Sequence, residues 1–461
     1  MQPKFNNKRF IPGLWVLFLI LMSISGLPGH SQDKSLYTYY NFSFGARAMG
    51  VSNAFTAVAD DLTAVFWNPA GIAEFNAPEA YINYRNDDIL YNYDLQEQAG
   101  SSIFNNRYTR RLDSRLKSLD FVSISVPAYF WDMKWNFALS YYKCIPYRMT
   151  GKLMENEDSY VDGISTGYNH TVQFAGTGGI DVLGFTAAYY LSEYFTLGIT
   201  LQQFINTGTA DYQSMYQNAD ASSKLADNET YIERLEGRNM IMGFIFKPMT
   251  DVAVGMTYRT RLANTFHSDY TDIYSHNGST GMIEDSVQAN VVLPPRLSLG
   301  IMARLFPFMR LSVDYFIIYW RLSHISHDHG QVEGEAWEFP VRNRYSVRQL
   351  NARNLRAGLE FMIPIQRVVL FLRGGLFKEN PLFQAGAGNS KAIKLTGYSL
   401  GLGLDVSSVV AIDFAYMKQK ANWGEKGYFD PATPVLTHYK NSMLRLSLIF
   451  RFSPIKKKTQ F

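Results

Sequence analysis

The chain has 461 residues, with 44 Lys and Arg against 40 Asp and Glu, a formal net charge of +4 that is too balanced for a nucleic-acid-binding surface. Its one cysteine, Cys144, rules out an internal disulfide and a cysteine zinc site. Aromatic residues make up 15%, with 30 Tyr and 32 Phe, yet mean hydropathy is only −0.14, a mixture that suits strands whose two faces meet different solvents.

Residues 1–31 read as an export signal. Lys4, Lys8 and Arg9 precede an apolar core from Leu14 to Met22, and Gly29 and Ser31 are small residues placed for cleavage before Gln32. That core is shorter than the roughly 20 residues of a spanning helix, and no cysteine follows it to carry a lipid. No later apolar run reaches that length either, so an exported chain of this kind is soluble or crosses a membrane as a closed barrel.

Residues 32–76 do not alternate. The run GARAMGVSNAFTAVADDLTAVFWNPAGIAEF, Gly45 to Phe75, holds alanine-rich stretches able to form short helices, the pair Asp60-Asp61 able to cap a turn, and Asn68-Pro69, where the proline disfavours helix at Asn68. A compact, partly helical segment ahead of a barrel has a natural place inside it.

From there the chain alternates. Strands are expected near 79–92, 119–128, 134–144, 179–190, 194–205, 238–248, 251–262, 292–305, 308–319, 353–363, 366–375, 395–405, 408–418 and 442–452. In the last, Leu444, Leu446, Leu448, Phe450 and Phe452 share one face and Arg445, Ser447 and Arg451 the other, with Ile449 the exception; Arg310, Ser312 and Asp314, and Arg356 and Glu360, form similar polar faces. Fourteen is an even count, as single-chain outer-membrane barrels have. Tight connections (129–133, 191–194, 247–251, 305–309, 363–367 and 405–409) alternate with long polar ones (206–238, 262–291, 321–351 and 419–441), the pattern of short periplasmic turns and long outer loops. Tyr129, Phe130, Trp131, Tyr190, Tyr194, Phe306, Phe308, Tyr319 and Trp320 cluster where strands meet turns, as interface girdles do. The expected fold is thus all-β: residues 77–452 as a transmembrane antiparallel barrel in the bacterial outer membrane, closed by a hatch of residues 32–76, with a basic periplasmic tail at 453–461.

The run from Gly45 to Phe75 resembles the N-terminal hatch of FadL-type outer-membrane transporters of long-chain fatty acids and other hydrophobic molecules. The likeness rests on Gly45, Ala48 and Gly50, on Ala57 to Asp61, and on Asn68-Pro69-Ala70, and it continues through 243–262, 293–305 and the strands after 354. It implies passive uptake of a hydrophobic small molecule through a hatch-gated barrel, with outer-membrane lipid and the barrel assembly machinery as partners and no cofactor. Gly45, Gly50, Asp60, Asp61, Asn68, Pro69 and Ala70 would then form the hatch motif, and Phe55, Phe66 and Trp67 would pack or line a ligand pocket. Two features depart from the family: the third strand, which in relatives is kinked and opens the wall, carries no glycine here and only Pro146 to interrupt it, and the loop 206–238 is mostly polar. The alternative reading is a FadL-like barrel that binds a protein of a secretion system.

Enzymatic chemistry is not expected. Gly397 to Gly401 fits the G-x-S-x-G elbow, but Ser399 lies in an alternating strand rather than on a turn into a helix. His324, His327 and His329 on a long loop are the weak candidates for a metal site.

Overall fold

The computed structural model describes residues 43–98, 105–130, 132–146, 149–158, 160–161, 164–165, 168–177, 179–206, 209–218, 224–276, 279–322, 324–327, 351–380, 394–406, 409–426 and 434–453. The leader and the basic tail expected from the sequence lie outside this set, apart from Ser453.

Fourteen antiparallel strands close a barrel: β1 (Glu79–Gln98), β2 (Asn105–Phe130), β3 (Met133–Pro146), β4 (Gly179–Tyr190), β5 (Phe195–Asn206), β6 (Lys224–Met249), β7 (Val252–Arg259), β8 (Arg296–Phe306), β9 (Met309–Ile318), β10 (Ala352–Ile365), β11 (Val368–Glu379), β12 (Leu395–Val406), β13 (Val410–Lys426) and β14 (Pro434–Arg451). Closure is by β14 against β1, from Glu79↔Arg451 to Asp94↔Leu436, so the sheet leaves no edge at membrane level.

The alternation in the sequence is the alternation of the wall. In β14, Arg445, Ser447 and Ile449 are buried in the interior, while Leu446 and Phe450 are exposed on the outer face. Ile449, the apolar residue on the polar side, is 1% exposed and joins the core formed with the N-terminal segment. Outward Leu139, Phe185, Leu201, Ile301, Leu400 and Leu402 make the lipid-facing band. Tyr129, Phe130, Tyr194, Phe306 and Phe308 are exposed at the short-turn end, as a girdle requires. Trp320 departs from that expectation. It opens a 3-10 turn (Trp320–Leu322) after β9 and is 1% exposed.

Where the structure describes the long connections, they are mostly paired strand rather than loop. β1 and β2 stay paired out to Gln98↔Asn105, and 149–158, 168–177, 209–218, the first half of β6, 262–276 and 279–293 pair on in sequence beyond β3 to β7. β2 and β6 reach 26 residues each, more than twice the roughly 9–11 that a tilted spanning strand needs. Their polar sequences kept these strands from view, because a strand with no apolar set at every second residue shows no period to read.

The third strand is interrupted, without a glycine. β2–β3 pairing stops at Phe121↔Tyr142, and the next described pair of β2 on that side is Leu116↔Met149 with the strand 149–158, so among the described residues, 143–146 have no ladder partner on β2. On its other side β3 stays paired with β4 across an irregularity between Lys143 and Ile145, which makes Cys144 the extra residue of a bulge.

Candidate functional site

Residues 43–75 sit inside the barrel, and almost every one is buried. Helix α1 (Ala46–Gly50), helix α2 (Ala64–Trp67) and a 3-10 helix (Pro69–Glu74) are joined by turns in which Ser52, Asn53 and Ala59 take positive φ. Such short helices are marginal by themselves. Their stability comes from the wall.

Asn68 shows how this works. Its side chain caps the 3-10 helix by accepting from the Ala70 amide (3.2 Å), while its Nδ2 donates to Thr56 O (2.7 Å) inside the segment and to Phe244 O (3.1 Å) on β6. Pro69 then occupies the first helical position, where no amide proton is needed. Gly45 combines φ 86° with a crowded site, since a Cβ there would lie 2.7 Å from Thr63 Cγ2 and 2.8 Å from Tyr81 Oη. Asp61 accepts from the amide (2.8 Å) and hydroxyl (2.5 Å) of Thr63, and burial pushes its carboxyl up to about 6.

The wall anchors the segment around most of its circumference. Asp314 on β9 accepts from the Phe55 amide (2.9 Å), the Thr56 amide (2.8 Å) and the Thr56 hydroxyl (2.6 Å). Ser399 on β12 accepts from the Ser52 amide (2.8 Å) and donates to Gly50 O (2.9 Å), so the serine of the G-x-S-x-G run is a hatch anchor within a strand. Thr200 donates to Val65 O (2.9 Å), and Asn136 donates to Ala73 O and Phe75 O. Where the backbones touch, the wall is glycine. A Cβ on Gly358 would lie 2.6 Å from Val51 O and one on Gly375 2.7 Å from Ser52 Oγ, and Gly198, Gly243 and Gly255 are pressed as closely by Pro69, Asn68 and Thr56.

Charge completes the attachment at the short-turn side. Arg47 pairs with Asp60 (2.8 Å) and with Glu360 (3.2 Å), and Glu360 also pairs with Arg373 (2.6 Å) and Arg310. Arg310 reaches back to Asp60 at 3.2 Å, and Arg373 pairs with Asp413 at 2.5 Å. The inward charges of β9, β10, β13 and β14 thus pair with one another and with the hatch; Arg445 pairs with Asp87, and Arg451 with Asp405 at 2.7 Å.

Of the expected pocket aromatics, Phe55 is fully buried and Phe66 and Trp67 are each 4% exposed. Phe66 packs edge-on against Phe44 (centroids 4.8 Å) and Trp67 (5.1 Å). Phe44 in turn lies 5.5 Å from Phe121 and 5.0 Å from Tyr142, the last pair before the β2–β3 ladder parts. Phe66 also reaches Tyr142 at 5.8 Å, so two rings of the N-terminal segment back that pair from the inside. Nothing in the spacing of Phe44 points to this role, which depends on the strands it faces. His324 and His327 fall in the short strand His324–His327, and His329 lies outside the described residues.

The family described as Outer membrane protein transport protein (OMPP1/FadL/TodX) matches residues 40–336, which take in the N-terminal segment inside the barrel and the wall through β9. The chain belongs to that family. No curated protein matches the sequence. Among solved structures, it is similar to a FadL homologue of Pseudomonas aeruginosa at 13% identity and TM-score 0.56, with 89% of this chain and 98% of that one covered. It is also similar to the toluene transporter TodX of Pseudomonas putida (11% identity, TM-score 0.51, 90% and 99% covered) and to the monoaromatic hydrocarbon channel CymD (11%, 0.51, 88% and 97%). At these identities the likeness speaks for the fold. The FadL-family chain is an outer-membrane barrel, with its tight turns at the periplasmic end.

Proposed function

We propose that this barrel carries hydrophobic small molecules passively across the outer membrane, and that they leave through the wall between β2 and β3 rather than through the hatch. The observation that carries this reading is the parting of the β2–β3 ladder between Phe121↔Tyr142 and Leu116↔Met149, backed on the inside by an aromatic cluster. A ladder without its hydrogen bonds is the weakest part of a barrel wall, and an apolar solute passing there stays out of the periplasmic water. The hatch core, held by Asp314, Ser399, Asn136 and Thr200, is the wrong element to swing aside. Its Phe44 end is better suited, because Phe44 and Phe66 are the rings of the segment that pack on the last pair before the gap.

No reaction is part of this function. Transport by other FadL-family proteins supports it, since TodX is a toluene transporter and CymD a monoaromatic hydrocarbon channel.

The test is Ser118→Trp, which places a bulky ring at an inward position of β2 between Phe121↔Tyr142 and Leu116↔Met149, where Ser118 is 5% exposed. Cells expressing the variant should take up a hydrophobic probe at least fivefold more slowly than cells with the native chain, with the barrel still resisting unfolding in cold detergent. Unchanged uptake would remove the wall route. Purified native protein should also bring apolar molecules with it in mass spectrometry; a specific protein in their place would favour the secretion-partner reading.

A further inference from the structure

The outer face of β11 to β14 changes character at one level. On β13 the outward residues run Ile412, Phe414, Tyr416, Lys418 and Lys420, and the apolar part ends where the lysines begin. Lys418 and Lys420 are the ninth and eleventh residues of that strand from its periplasmic end, Lys378 is the eleventh of β11, and Lys440 is the twelfth back from the end of β14. A tilted spanning strand needs roughly 9–11 residues, so these four exposed lysines stand where the wall leaves the outer leaflet. The ladder brings them together. Lys378 is opposite Thr396, Thr396 is opposite Lys420, and Lys420 is opposite Lys440, with Lys418 one outward position nearer the membrane.

Like charges directly opposite one another on a sheet are destabilising, and Lys420 and Lys440 are such a pair. Across the seam, β1 and β2 treat the same level differently: Asp88, opposite Ser442 of β14, pairs with Arg115 at 3.4 Å. Among the described residues, no carboxylate pairs with any of the four lysines. Directly beneath them lies open apolar surface, Leu376 (68% exposed), Leu400 (59%) and Phe414 (42%), with Tyr398 opposite Lys418 at the boundary. Lysine stems lie along such a surface and put their ammonium groups in the headgroup layer, where each acts as a point charge for phosphate. Neighbouring strands are ~4.8 Å apart, so Lys378 and Lys440 stand roughly 14 Å apart across three steps, a spread that suits a headgroup bearing more than one phosphate.

We propose that Lys378, Lys418, Lys420 and Lys440 form a binding site on the outside of the barrel for a multiply phosphorylated glycolipid of the outer leaflet, lipid A in chemistry, with its acyl chains on Leu376, Leu400 and Phe414. The patch faces lipid rather than the lumen, so its occupant is a fixed neighbour of the wall and not cargo. Binding offsets the repulsion between Lys420 and Lys440 and braces β13 and β14 where the barrel closes on β1.

The test is native mass spectrometry of the full chain, delipidated in non-ionic detergent and titrated with bisphosphorylated lipid A, the same lipid with both phosphates removed, and phosphatidylglycerol. Lipid A should be retained at one per barrel, at least tenfold more tightly than its dephosphorylated form and at least fivefold more tightly than phosphatidylglycerol. Lys420→Gln with Lys440→Gln should lose that preference. Asp88→Asn with Arg115→Gln, also exposed at this level, should keep it. Heat-dependent electrophoretic mobility checks that each barrel is folded. Equal retention of dephosphorylated lipid A or of phosphatidylglycerol, or native retention by the lysine double variant, overturns the site. Displacement of lipid A by millimolar inorganic phosphate would assign the lysines to free phosphate and overturn it as well.

Discussion

Asp61 sits in the hatch as a fully buried carboxyl with Thr63 as its hydrogen-bond donor, Asp60 beside it and Arg47 as the nearest cation. Because burial raises its pKa from 3.8 to about 6, between those values the folded hatch holds a proton that the unfolded segment has already released. The contribution to stability is therefore fully present below about pH 4, declines as pH rises to 6, and above that leaves the ionised group costing about 3 kcal/mol. Asp61→Asn keeps an oxygen for Thr63 and removes the charge. It should slow hydrogen exchange across residues 43–75 at pH 7.5 and flatten the change between pH 4 and 6; a variant that exchanges faster than the native hatch at pH 7.5 would show that the ionised carboxylate is needed. Ser399 carries a different lesson. A motif that reads as a nucleophile elbow is a strand residue whose hydroxyl joins two chain segments 347 positions apart.

Among elements, the hatch and the gap divide the work. The hatch core is tied to the wall through Ser52–Ser399, Asp314, Asn68 and the ionic group around Glu360, with wall glycines letting the backbones touch. Each neutral bond is worth about 1 kcal/mol and those to charged groups more, so displacing the whole segment is expensive. Ser52 Oγ and Ser399 Oγ are 2.8 Å apart, close enough for a disulfide between cysteines at the two positions. The oxidised Ser52→Cys, Ser399→Cys variant should transport within twofold of its reduced form. Uptake that fails when oxidised and returns with a thiol reductant would mean that the core itself must move.

At the scale of the molecule, the barrel closes by its own ladder, β14 on β1, independently of what fills it. Removing residues 43–75 should leave a folded barrel, since the outer apolar band and the strand hydrogen bonds remain and water can solvate the uncovered charges. A fourteen-strand wall without its plug encloses a wide lumen. The deletion should raise single-channel conductance in planar bilayers several-fold and admit polar solutes that the native protein excludes. Conductance equal to that of the native chain would place the permeability barrier in the outer connections.

The sequence by itself determined the strand count and the two faces of the wall, because a strand between lipid and water must alternate, and Arg445, Ser447, Leu446 and Phe450 do so over the length of one crossing. It also shaped the N-terminal segment locally, since Gly45 and Asn68-Pro69-Ala70 answer demands of φ, capping and helix start. Only the tertiary structure decided where these meet. The outer ladders beyond β3 to β7 have no apolar side to record their period, the parted β2–β3 ladder needed no glycine because a bulge at Cys144 and two extra residues shift the register, and Phe44 and Asp314 take their places from partners 77 to 259 residues away. Sequence periodicity records which solvent a side chain faces; it does not record which neighbour it faces, and in this protein the packed N-terminal segment and the gap are both made of neighbours.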